Sequence, residues 1–142
     1  MGNASVIMIH MSLTPAPDHE LHARHRLADA VVECLTAAGL PAALETPNGP
    51  RITGAGVEVD QFDDEEGGGV FVHWSGSPEL AEDSNTAVMA HDYESPAIQL
   101  NGAIAGVMAD ALLSILNASG LRAEISEDEY RPYSLKVLRG RD

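Results

Sequence analysis

The chain has 142 residues, 44% of them apolar and 21% charged, which is the size and balance of one globular domain. Eight Lys and Arg stand against 22 Asp and Glu, a formal charge of -14, so the clustered cations that grip phosphate or an anionic bilayer are missing and neither nucleic acid nor membrane is an expected partner. Cys34 is the single cysteine, which removes intrachain disulfides and cysteine-paired zinc centres and suits a reducing compartment.

The N-terminal stretch MGNASVIMIHMS lacks a basic region and is too short in apolar residues for a signal peptide, so a cytoplasmic location is expected. No uninterrupted apolar run approaches the roughly 20 residues of a membrane span. Arginine favoured over lysine and the many alanines suit a GC-rich bacterial genome.

Val6–Met11 is apolar on both faces and reads as a central strand. A helix follows from Asp18, its N-cap, to Ala38, with Gly39 just beyond its end. Leu21, His25, Ala28, Val32 and Leu35 share one face of it, the expected sheet-facing stripe. Val57 and Val59 flank Glu58, the alternation of a strand with one wet face. Asp60–Gly69, acidic and then glycine-rich, reads as a solvated linker; it lacks the alternating ligand spacing of a calcium loop. Val70–Trp74 is again apolar on both faces.

The long connection Gly76–Glu94 follows, with Ala81–Ala90 as a candidate short helix. A second long helix begins after Ser95 at Pro96 and ends at Ser119 before Gly120. Its expected core face carries Leu100, Ile104, Val107, Met108, Ala111, Leu112 and Ile115. Ala123 to Ile125 and Leu135 to Val137 alternate and close the chain as strands.

The chain contains an internal repeat. Residues 27–42 lie over residues 108–123 with eight of sixteen positions identical, and His10 and Ser12 fall over His73 and Ser75. The copies span about 4–60 and 69–139, joined by the 60–69 linker. Each reads strand, helix, strand, strand. The expected fold is therefore a single α+β domain: a two-layer sandwich with a mostly antiparallel six-stranded sheet and two helices on one face.

Six histidines mark the candidate chemistry. His10 and His73 occupy equivalent strand ends, His25 is on the sheet-facing stripe, and His91 arrives on the long connection. With Trp74 and Ser75 they form a candidate small-ligand site at the repeat junction, and His10, His73 and His25 are the candidate metal ligands should zinc or another divalent ion bind. His19, His22 and His25 are spaced by three on one helix but do not make the metalloprotease pattern.

Catalytic signatures are missing. Trp74-Ser75-Gly76-Ser77 fails the nucleophile elbow, Gly67-Gly68-Gly69 has no phosphate-loop lysine, and Gly54-Ala55-Gly56 lacks the dinucleotide fingerprint's third glycine. No cofactor is expected. The first functional expectation is a non-enzymatic cytoplasmic interaction module, pairing with itself as a homodimer or with a basic protein partner. The alternative is a small-ligand or metal-binding domain near His10, His73 and Trp74.

Overall fold

In the computed structural model, residues 14–63, 69–127 and 132–139 are described. Their order is β1 (Thr14–Pro15), α1 (Asp18–Ala37), β2 (Ala42–Leu44), β3 (Gly54–Val59), β4 (Phe62–Asp63), β5 (Val70–Ser75), α2 (Pro78–Met89), α3 (Pro96–Ala118), β6 (Arg122–Ile125) and β7 (Leu135–Arg139). The main sheet runs β2-β3-β5-β7-β6, and β1 with β4 makes a separate two-stranded antiparallel ribbon.

This corrects the expected architecture in three places. The main sheet has five described strands and not six, because the expected strand Val6–Met11 lies outside the described residues. It is mixed: β2 is parallel to β3, since the Glu45–Thr53 connection carries the chain back along the sheet before β3 begins, whereas the other neighbours are antiparallel. There are three helices and not two, because most of the Gly76–Glu94 connection is α2. The Ser77 hydroxyl caps that helix by accepting from Leu80 N at 3.2 Å, and Pro78 fills its first turn.

The core lies between one face of the sheet and helices α1 and α3. Ala28, Val31 and Leu35 of α1 and Ala109, Leu112 and Leu116 of α3 meet Ala55 and Val57 of β3, Val70 and Val72 of β5, and Leu135 and Val137 of β7. Alternation places Gly56, Glu58, Phe71, His73 and Lys136 on the opposite face, in paired register across the three central strands. Helix α2 packs along α3 and buries only Ser84 and Ala87.

Both long helices bury a stripe rotated from the expected one. In α1 the buried residues are Arg24, Ala28, Val31, Cys34 and Leu35, and His25, beside Arg24, is exposed. The Arg24 guanidinium donates through Nη1 to the carbonyls of Asp60, 2.8 Å, and Phe62, 3.2 Å, where the chain leaves β3 for β4. Those carbonyls supply what a buried cation needs, so a residue type usually found in water is drawn inward. In α3, Leu100 and Val107 are exposed and Ala109 and Leu116 are buried. That helix has a single charged residue, Asp110, so its sequence offers almost no polar face to mark the outside.

The helix ends share one device. Gly39 and Gly120 take φ of +92° and +96°. Leu40 N donates to Leu35 O at 3.0 Å, and Leu121 N to Leu116 O at 3.1 Å, the long bond of a Schellman turn. Each turn leads straight into an edge strand, β2 or β6. Helix α2 ends the same way, with Asp92 N donating to Ala87 O at 2.9 Å, but its left-handed residue is His91 at φ +56°. His91→Gly should therefore stabilise the fold by about 0.5–1 kcal/mol, since glycine adopts that conformation without the Cβ penalty. A lower thermal midpoint for this variant would instead mean that the exposed His91–Tyr93 hydrogen bond, 2.8 Å, outweighs the backbone cost.

Candidate functional site

On the sheet face away from the helices, Glu45 reaches across β3. It stands directly after β2, where its N–H donates to Val57 O at 2.8 Å. Its carboxylate Oε1 lies 2.6 Å from His73 Nε2 on β5, two strands away from β2. The strand between them carries Gly56 opposite His73. A Cβ at Gly56 would overlap the Glu45 carboxylate and lie 2.9 Å from His73 Cε1. Glycine here is the gap through which the pair closes, one of the reasons a strand interior keeps a glycine.

The pair lines a recess of about 400 Å³ together with Arg51, Glu58, Trp74 and Tyr133. Ser75 and Ser134 add hydroxyls to its wall. Tyr133 holds φ at +62°, an uncommon conformation for a bulky residue and one met at binding sites. It lies over α3 at Gly106, where an added Cβ would sit 3.7 Å from Tyr133 Cε1. A second recess of about 370 Å³ lies toward Leu44, Pro47 and Gln61 and shares Glu45 and Glu58 with the first.

The expected site residues are divided by this geometry. His73, Trp74 and Ser75 come together in the first recess. His25 is exposed on α1 and lines the second. His91 serves as the left-handed residue after α2 and hydrogen-bonds Tyr93, away from both groups of lining residues. His10 lies outside the described residues. Glu45, Arg51, Glu58 and Tyr133 were not singled out from the sequence. Gly56 was the available signal, because a lone glycine inside a strand marks a close approach.

The lining residues include groups that can hold a polar ligand. Arg51, Tyr133, Ser75 and Ser134 offer donors, while Glu45 and Glu58 offer negative charge. His73 Nε2 is occupied by Glu45, and Ser75, two residues along the same strand face, makes no hydrogen bond to His73 among the described residues. Zinc needs three or four converging ligands. Among the described residues no three His, Cys, Asp or Glu side chains converge in that way, and His19, His22 and His25 are all exposed. Cys34 is buried with its Sγ 3.0 Å from the Ser119 hydroxyl, inside the α1–α3 packing.

Searches with protein-family models, among curated proteins and among solved structures found no match to this chain.

Proposed function

We propose that this is a non-enzymatic, cytoplasmic domain that binds a small polar ligand in the recess over β3 and β5. The observation that carries the reading is the Glu45–His73 pair, held across Gly56 in a hollow of about 400 Å³ that also presents Arg51 and Glu58. That volume falls in the range of small-molecule sites. A pre-formed set of oriented charges spares a ligand the cost of ordering them itself.

Trp74 is the only tryptophan and lines the recess, so its fluorescence reports occupancy. A set of small polar metabolites should contain at least one that shifts this emission and raises the melting temperature. His73→Gln and Glu45→Gln should each weaken that response at least tenfold while leaving the far-ultraviolet circular dichroism unchanged. No response to any compound at millimolar concentration removes the reading.

A second reading, self-association, is favoured by the outer side of α3. Leu100 and Val107 are 53% and 67% exposed on a helix with one charged residue, in a chain of formal charge -14. Acidic surfaces repel one another, so the neutral α3 strip is where a second copy of this chain can approach. Light scattering after size exclusion should then report a dimer, and Leu100→Glu with Val107→Glu should return it to a monomer. A strictly monomeric wild type refutes this reading. Co-sedimentation of the wild type with neutral lipid vesicles would assign the strip to a bilayer, because α3 is also long and apolar enough to span one by length and composition.

A further inference from the structure

We propose that the open edge of β2, beside α1, takes up an extended basic segment of a partner protein as an added strand. The edges of the main sheet are β2 and β6, and the internal repeat treats them differently. At β6 the Asn117 side-chain amide, from the last turn of α3, accepts from Ala123 N at 3.0 Å and donates to Ala123 O at 3.3 Å. It stands where a neighbouring strand would pair, one way of protecting a sheet edge. Thr36 and Ala42 are the equivalent residues of the first copy. The Thr36 hydroxyl makes no such bond, and among the described residues nothing bonds the outward backbone of β2.

That outward backbone belongs to Ala42 and Leu44. Pro41 O accepts from Ala55 N at 2.9 Å, and Glu45 N donates to Val57 O at 2.8 Å. Alternation along the parallel ladder then turns the N–H and C=O of Ala42 and Leu44 away from β3. The strand borders a groove of about 650 Å³ whose other wall is α1. A free strand edge beside a helix suits strand addition, in which backbone bonds supply affinity and every second side chain enters the groove.

Charge selects the partner. Asp29 and Glu33 stand one turn apart on the side of α1 that walls the groove. Both are exposed, and neither is in an ion pair among the described residues. No Lys or Arg lines the groove, and the chain has a formal charge of -14. Lys or Arg at every second position of an added strand would lay apolar stems along Val32 and Leu44 and bring cations toward the two carboxylates. None of these lining residues belongs to the recess over β3 and β5, so the two sites stand or fall separately.

Capped hexapeptides alternating valine with lysine, or valine with glutamate, test the docking on the full chain. Fluorescence anisotropy should show the lysine peptide binding at least tenfold tighter than the glutamate peptide. On its addition the Ala42 and Leu44 amides should exchange at least tenfold more slowly. Asp29→Asn with Glu33→Gln should weaken the lysine peptide at least tenfold. Thr36→Asn, which copies the Asn117 plug onto β2, should weaken it at least fivefold without lowering the urea midpoint. N-methylation of alternate peptide nitrogens should abolish binding in one phase and spare it in the other, because only every second N–H faces β2.

Binding with no slowing at Ala42 and Leu44, or equal loss in both methylation phases, reduces the contact to charge attraction and overturns strand addition. Equal affinity for the two peptides overturns the basic partner, and silence at millimolar concentration overturns the docking site. Slowing of the same amides that grows with protein concentration alone gives the edge to a second copy and overturns the foreign partner.

Discussion

Gly54→Ala should destabilise the fold by about 2–4 kcal/mol, from backbone strain and steric overlap together. Gly54 opens β3 at φ +109°, a conformation that L side chains rarely adopt. An added Cβ would lie 2.7 Å from the Pro41 carbonyl oxygen and 2.9 Å from Pro41 Cβ. Pro41 has little freedom to retreat, because its carbonyl accepts from Ala55 N at 2.9 Å and so begins the parallel pairing of β2 with β3. The urea midpoint should fall with the slope unchanged. Gly102→Ala is the control, since its Cβ meets nothing within 4 Å on a helix, and it should raise stability by about 0.5–1 kcal/mol. Equal midpoints for wild type and Gly54→Ala would mean that β3 does not start as described.

Arg24→Met should cost about 2–3 kcal/mol, because a buried and a partly buried carbonyl lose a charged donor. The carbonyls of Asp60 and Phe62 lie under α1, and the Asp60 carboxylate in turn accepts from Phe62 N at 3.0 Å. The guanidinium therefore fixes the turn from β3 into β4, and with it the pairing of β4 with β1. Methionine keeps most of the buried stem and removes the guanidinium, so the loss measures its polar contacts, the Glu20 ion pair at 3.6 Å included, and not the packing. Hydrogen exchange should show the Ala16 amide, bonded to Gln61 O at 3.0 Å, losing protection before the α3 amides. A neutral Arg24→Met would show that water satisfies those carbonyls and that the turn holds itself.

The parts of this fold legible in the sequence are those with local causes. Both long helices were readable because a serine and a proline open α3, and because Gly39 and Gly120 close α1 and α3 with left-handed turns. Strand β5 was readable as central from its apolar residues on both faces. Strand β2 was not, because Ala42–Leu44 is three residues long and shows no alternation. Its parallel direction is set by a connection that carries no strand pattern of its own. The short helix expected at Ala81–Ala90 begins earlier, at Pro78, and the signal for that start lay in Ser77–Pro78.

The candidate site divides along the same line. His73 could be named because the repeat repeats it, but its partner is 28 positions away at Glu45, and only the Gly56 gap brings them together. His25 was assigned inward from its place on the apolar stripe, and Arg24 was not part of that stripe. The reversal depends on two carbonyls that no pattern within α1 reveals.

The reach of Glu45 over β3 also makes it a tether. Its amide holds the edge strand to Val57, and its carboxylate ties the same residue to the strand beyond. A ligand that draws the carboxylate from His73 undoes one of those two ties. Filling the recess would then be felt at the margin of the sheet, as faster solvent exchange of the Glu45 amide, and site occupancy would be written in the breathing of an edge strand.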